Sequence, residues 1–266
     1  MNKLLTWETQ EYYTKAKEGS LRSSHPGMKI LQKYVENNNI TNVLDIGCGE
    51  GTRLASLIKK KDRNKKGYGV DISNIAISLA KKNYSYLNFQ KSDIEKIPFE
   101  ENSFDLIYSA YVLEHLSKPE ILLKEAKRLL KTNGVMVLIA PNYGSPNRSS
   151  PCFKGSRIKK IVKGYVDDFL RVFSNKLELN WNKVKPISSK KKYEIDWDCQ
   201  IEPYVGSLVN YLKKNGFNIL EYSTCWEEER KHSSILQKII YIYAKLGLYP
   251  FNYWGPHFVV AARKLY

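Results

Sequence analysis

The chain has only four cysteines in 266 residues, Cys48, Cys152, Cys199 and Cys225, and they stand far apart. No two form a Cys-x-x-Cys pair, and none stands with a histidine at metal-ligand spacing, so the sequence lacks the signatures of a zinc site and of a redox dithiol. Free thiols and no bound metal are the expectation, and a catalytic thiol is not. A long apolar run is also missing: no uninterrupted segment is long enough to span a bilayer, and Met1 to Gln10 lacks the basic start and apolar core of a secretory signal. The expected location is cytoplasmic. Acidic residues are scarce, 27 against 43 basic ones, for a net charge of +16. That excess suits nucleic acid or an acidic membrane surface. Lysine greatly outnumbers arginine, however, and the runs Lys59-Lys60-Lys61, Lys65-Lys66 and Lys190-Lys191-Lys192 fall at a helix end or in loops, where solvated lysines are common. A solvated surface is therefore preferred over a nucleic-acid track. With 42% hydrophobic and 26% charged residues the composition excludes wholesale disorder. The length suits one large α/β domain with insertions.

Against this plain background one stretch carries information. Val43-Leu44-Asp45-Ile46-Gly47-Cys48-Gly49-Glu50-Gly51-Thr52 reads as a buried strand, a glycine-rich turn and the start of a helix, whose apolar face is supplied by Leu54, Ala55, Leu57 and Ile58. Alternate glycines let the backbone turn sharply and let a ligand approach where a Cβ would collide, while the first helical N–H groups point at that ligand. About twenty residues on, Gly67-Tyr68-Gly69-Val70-Asp71 reads as a second strand ending in a carboxylate, the position from which ribose hydroxyls are held. Gly47, Gly49 and Gly51 form GxGxG, whereas the dinucleotide pattern would place its third glycine at Thr52.

These residues resemble the class I S-adenosylmethionine-dependent methyltransferases. The resemblance continues through Asp71, Ser92-Asp93-Ile94, Phe104 to Ser109, Leu113-Glu114-His115-Leu116 and Leu129 to Ala140. It implies an α/β, Rossmann-like, doubly wound fold, with a mostly parallel seven-stranded sheet, an antiparallel last strand and a helical insertion or cap. It implies S-adenosylmethionine as cofactor and S-adenosylhomocysteine as product. By the same resemblance the cofactor contacts are Asp45, Gly47, Cys48, Gly49, Gly51, Asp71, Ile72, Asp93, Ile94 and Ser109. Cys48 is expected to pack rather than react, and Asp93 to accept from the adenine amino group, the competing role for Asp93 being an Asx turn or a cap.

The expected organisation is a single domain over residues 1–266. Residues 1–40 form an N-terminal helical lid, 41–141 the cofactor-binding core, 142–203 a substrate-side insertion, and 204–266 a C-terminal helix and strand pair with a cap segment. Trp7 to Gly19, around Tyr12-Tyr13, reads either as a peripheral helix or as a lid. Further along, Ser73 is a candidate N-cap, Tyr86 to Gln90 a third strand, and Pro119 and Glu120 the first turn of a helix that Asn133-Gly134 should stop. Val135 to Ala140 is the fifth strand and Arg157 to Leu179 a helix. Pro203 to Lys214 is a helix, and Phe217 to Thr224 and His257 to Arg263 are the last strands. Ile235 to Leu246, followed by aromatics through Trp254, reads as a cap on the sheet or as a surface meeting lipid or a greasy substrate.

Methyl transfer from a sulfonium is an in-line displacement that needs positioning and desolvation rather than a covalent enzyme group. A hydroxyl acceptor adds the need for a base, and His115 is the best placed, with Asp196 and Asp198 as alternatives. The expected function is methylation of oxygen or nitrogen on a small molecule such as a sugar, a lipid-linked precursor or another metabolite. No transmembrane segment is involved, and peripheral membrane contact is compatible. The alternative is an RNA-modifying methyltransferase using the basic surface. Against it, Ser109-Ala110-Tyr111-Val112 stands where many base-amino methylases carry a Pro-Pro-aromatic motif, and Pro151-Cys152 lies in the insertion, away from a strand end.

Overall fold

The computed structural model describes residues 7, 9–10, 12–14, 17, 25–171, 179, 181–187, 194–226 and 235–266. Most of the expected N-terminal segment, the run Lys190-Lys191-Lys192 and the stretch 172–178 lie outside the described residues. The chain forms two compact units, one of Met1–Ala110, Lys118–Leu138 and Ala261–Tyr266, the other of Tyr111–Ser117 and Ile139–Val260.

The first unit opens with α1 (Pro26–Val35), where His25 Nδ1 accepts from Gly27 N at 3.1 Å and proline takes the first helical position. Then come β1 (Asn42–Ile46), α2 (Thr52–Leu57), β2 (Lys66–Asp71), α3 (Asn74–Asn83), β3 (Asn88–Lys91), β4 (Phe104–Ala110) and α4 (Pro119–Leu129). β1 pairs in parallel with β2 on one side and β4 on the other, Val43 opposite both Gly67 and Leu106. Covered on both faces, it needs a continuous apolar run, and Val43, Leu44 and Ile46 are fully buried. Asp105 ties the near ends of β1 and β4 together: it accepts from Thr41 N, Thr41 Oγ1 and Asn42 N at 3.1, 2.7 and 2.8 Å and from Lys131 Nζ at 2.7 Å. Ser73 caps α3 as its residue type suggests, Oγ accepting from Ala76 N at 3.3 Å. Of the lysine runs, 59–61 is exposed, whereas Lys65 donates to the carbonyls of Asn37 and Ile40 just beyond α1.

The expected helix stop at Asn133-Gly134 is displaced. Leu129 ends α4, Leu130 is already extended, and β5 runs Leu130–Pro141 with Asn133 at φ 65° inside it. A Cβ on Gly134 would stand 2.8 Å from Lys131 O, so the pair makes a sharp kink in a strand rather than a helix end. The third strand likewise starts at Asn88, two residues later than its apolar pattern suggests, because Tyr84 caps α3 and Leu87 N bonds back to Tyr84 O.

The second unit holds a 3₁₀ turn (Leu113–His115), α5 (Arg157–Arg171), β6 (Asn182–Lys183), β7 (Ile201–Glu202), α6 (Val205–Lys214), β8 (Phe217–Ser223) and α7 (Ile235–Lys245), and the chain ends with β9 (His257–Lys264). β6 and β7 form a small antiparallel ribbon that no local pattern foretold. The large sheet has the order β3-β2-β1-β4-β5-β9-β8. Its order reverses between β1 and β4, and the last strand enters between β5 and β8, which is the Rossmann-like sheet expected. No helix among the described residues is long and apolar enough to cross a membrane.

Candidate functional site

In the first unit the turn after β1 is shaped by three residues with positive φ, Gly47, Gly49 and Gly51, at 80°, 54° and 84°. Gly47 N and Cys48 N both donate to Val70 O, at 2.8 and 3.0 Å, which folds the turn onto the end of β2. Asp71 completes it: Oδ2 accepts from Gly49 N and Oδ1 from Ser73 N, each at 2.9 Å. Burial raises the Asp71 pKa, against the pull of the Ser73, Gly49 and Ile72 N–H groups. Ile72 beside it is half exposed. The Gly51 backbone is hemmed in, since a Cβ there would come 2.7 Å from Phe89 Cζ, whereas a Cβ on Gly49 would meet, among the described residues, the Tyr13 ring at an ordinary 3.7 Å. Tyr13 is buried, donates to Trp7 O at 2.7 Å, and Ser73 Oγ donates to the same carbonyl at 3.0 Å. The Tyr13 ring thus lies against the glycine turn at Gly49.

The other expected contacts divide. Ser92 N bonds to Asp71 O at 2.9 Å and brings Asp93 and Ile94 to the end of β2. Asp93 itself is exposed and accepts from Glu95 N at 3.1 Å, the Asx turn weighed against its adenine role. Cys48 is buried, with a thiol pKa raised by burial, in keeping with packing; all four cysteines are free thiols. Ser109 Oγ is taken up by Ile46 O at 2.8 Å. Asp45 is wholly buried; Tyr108 donates to its Oδ2 at 2.7 Å, while Oδ1 has no hydrogen-bond partner among the described residues. Burial pushes its pKa up to about 7, although the Arg53 charge and the Tyr108 hydroxyl pull it down.

The second unit gathers a separate set of groups. His115 Nδ1 lies 3.4 Å from Asp198 Oδ2, and His115 Nε2 lies 3.9 Å from Glu114 Oε1. Asp196, held at φ 63°, accepts a short hydrogen bond from the Tyr143 hydroxyl. Two bonds from Gln200, its N to Glu114 O at 2.8 Å and its Nε2 to His115 O at 2.7 Å, fix the backbone of the 3₁₀ turn. Glu114 is fully buried with no hydrogen bond to either carboxyl oxygen among the described residues, and burial drives its pKa well up. Burial also works to lower the His115 pKa, but the carboxylates of Glu114, Asp198 and Asp196 outweigh it and the net direction is upward. Single ligand atoms of Glu114, His115 and Asp196 fall within 4.8 Å of one another, so these three could also hold a cation. Asp198 and Asp196 therefore do converge on His115. Glu114 was not singled out from the sequence, although an acid between Leu113 and Leu116 is the pattern of a carboxylate carried into a core.

The model of the methyltransferase domain family matches residues 37–194, more than half of the chain. The chain belongs to the class I S-adenosylmethionine-dependent methyltransferases. Among curated relatives of this methyltransferase, the demethylmenaquinone methyltransferase of Chlorobaculum tepidum is 25% identical over 197 residues, 73% of this chain and 72% of that one. The malonyl-[acyl-carrier protein] O-methyltransferase of Haemophilus influenzae is 32% identical over 120 residues, 45% of each chain. Coverage of the curated relatives is partial, and falls to 34% for an uncharacterised transposon protein of Streptomyces fradiae. A methyltransferase structure from Methanosarcina mazei, at 21% identity and a TM-score of 0.55 over 89% of this chain and 97% of that one, shares the fold.

Proposed function

We propose that this methyltransferase transfers the methyl group of S-adenosylmethionine to a hydroxyl of a small-molecule acceptor, with His115 as the base. The observation that carries the reading is the partly buried His115 with Asp198 Oδ2 at 3.4 Å on its Nδ1 side. A carboxylate beside Nδ1 favours the tautomer protonated there, which leaves Nε2 to take the acceptor proton. Glu114 and His115 follow β4 by four and five residues, and open α/β sheets bind ligands beyond the C-terminal ends of their strands. The names of the relatives, a demethylmenaquinone methyltransferase and a malonyl-[acyl-carrier protein] O-methyltransferase, support a small acceptor.

The first unit suits the cofactor. The glycine turn offers close backbone approach, and the unpartnered Asp45 Oδ1 is a buried acceptor awaiting a donor or cation. Ile72 and Ile94 would face the adenine, Asp71 and Asp93 would bind polar groups of the nucleoside, and Tyr13 would act as a lid by covering the turn at Gly49. Bound there, S-adenosylmethionine supplies an electrophilic methyl group. The chain's own residues then have to orient the acceptor, exclude water and remove one proton at His115.

Because the carboxylates raise the His115 pKa, the neutral base accumulates only as pH rises above the ordinary histidine range. The rate should therefore climb with pH through a midpoint above 6.5. A panel of phenolic, sugar and lipid-linked hydroxyl acceptors identifies the substrate class, and His115→Gln tests the base. The expected result is a fall in kcat of about a hundredfold with cofactor affinity within about twofold of wild type. An unchanged kcat and an unchanged pH profile would remove His115 from the mechanism, and methyl transfer only to RNA would refute the small-molecule reading.

A further inference from the structure

Helix α5 is turned inside out. Two of its polar side chains, Lys160 and Asp168, face the protein: Lys160 Nζ donates to Tyr143 O and Glu202 Oε2, both at 2.7 Å, and Asp168 accepts from the Tyr204 hydroxyl at 2.6 Å and from Trp254 Nε1 at 2.9 Å. Between them Gly164 rests on Pro146, whose Cγ would stand 2.5 Å from a Cβ there. Lys160, Gly164 and Asp168 are four residues apart and form one row. The apolar positions face solvent. Ile158, Val162, Val166 and Leu170 form one row, at 76, 61, 49 and 55% exposure, and Ile161, Tyr165 and Phe169 form the next, all exposed. An amphipathic helix ordinarily turns such a stripe toward the core. Here specific polar bonds hold it outward.

Two further features say what the stripe fits. Lys159 and Lys163 are exposed along its edge, in one row with the exposed Asp167, and the whole chain carries +16. In the same unit α7 exposes Ile235, Ile239, Ile242 and Tyr243, with Lys238 and Lys245 beside them. Ring contacts connect the two helices, from Tyr165 to Trp254 at 6.3 Å, Trp254 to Phe251 at 5.3 Å and Phe251 to Tyr243 at 5.5 Å. An exposed apolar stripe bordered by lysines is the pattern of a helix lying in a membrane interface. A second copy would bring another chain of +16 against these lysines, whereas an anionic bilayer supplies both hydrocarbon and opposite charge.

We propose that α5 and α7 together form a docking face for anionic phospholipid bilayers, seating the enzyme at a membrane surface without crossing it. The test is flotation of the full chain with phosphatidylcholine vesicles, with and without about a third phosphatidylglycerol. Association with the anionic vesicles, weakened by salt, is expected. The triple variant Ile158→Ser, Val162→Ser, Val166→Ser should lose at least about tenfold in partitioning, since each side chain leaves solvent only at the membrane. Lys159→Gln with Lys163→Gln should lose about fivefold per lysine while keeping every anchoring bond, and so tests the proposal even if the triple variant folds poorly. Equal binding to neutral and anionic vesicles, or either variant binding like wild type, would overturn it. So would a dimer in sedimentation that the triple variant abolishes while vesicles go unbound, which would give the face to a second copy.

Discussion

Asp45 should make the stability of this enzyme fall as pH rises. It is buried in the centre of the sheet, where burial first, and the nearby Asp71 and Glu50 charges after it, lift its pKa from 3.8 to about 7, against the pull of Arg53 and Tyr108. A folded-state value above the unfolded one means that the folded state holds the proton more tightly. The associated stability is present in full below the unfolded value of 3.8 and is lost as pH rises through about 7. A shift of that size corresponds to roughly 4 kcal/mol. Asp45→Asn keeps the shape and an acceptor for Tyr108 but removes the ionisation. Urea unfolding at a series of pH values should show variant and wild type close together near pH 4 and the variant more stable, by up to roughly 4 kcal/mol, near pH 8. A cation held against Asp45 keeps it ionised, so binding S-adenosylmethionine near pH 6 should release close to one proton, read by calorimetry in buffers of different ionisation enthalpy. A wild-type-to-variant difference that does not change with pH would refute the burial argument, and cofactor binding without proton release would separate Asp45 from the cofactor.

Asp105 titrates in the opposite sense: burial opposes its ionisation, but the bonds from Lys131, Asn42 and Thr41 hold its pKa down at about 2, so its contribution is present above 3.8 and lost as pH falls through about 2. Asp105→Asn should therefore cost about 2 kcal/mol in urea unfolding at neutral pH and close to nothing in strong acid, and an equal cost at both would contradict the assignment. Gly51→Ala combines φ 84° with a Cβ 2.7 Å from Phe89 Cζ and should cost at least ~1–3 kcal/mol in thermal unfolding; an unchanged melting temperature would mean that the turn relaxes freely. Glu202→Ala leaves the largely buried Lys160 without its carboxylate and should cost ~3–5 kcal/mol, a loss under about 1 kcal/mol in urea unfolding meaning that water replaces the partner.

Much of the first unit was legible because its chemistry is local. The run Val43–Ile46 needs no distant partner to read as a covered strand, the glycines at 47, 49 and 51 declare positive φ where the turn requires it, and Ser73 caps the helix that its residue type suggests. The acid closing β2 stood where the glycine turn called for it, and Asp71 does accept from Gly49 N. Local reading reached its limit where one residue type serves two local purposes. Asp93 is an acid after a strand in either role, and only coordinates show its Oδ1 in an Asx turn with Glu95 N. Asn133-Gly134 can stop a helix or kink a strand, and the early extension at Leu130 decided for the kink.

By itself, then, the order of residues determined where the strands, the helices and the glycine turn lie, since these follow from periodicity and backbone conformation within a few residues, whereas the seven-stranded sheet was what the family resemblance implied. Tertiary structure alone decided which groups meet. Glu114 and His115 stand some eighty residues before Asp196 and Asp198, a separation at which sequence carries no geometric constraint until the intervening chain has folded. It alone decided that α5 would show its apolar stripe to solvent, because periodicity marks where a stripe lies on a helix and not which way it faces. That direction is set by the bond that Glu202 accepts from Lys160 and those that Tyr204 and Trp254 donate to Asp168, residues that come together only in the folded chain.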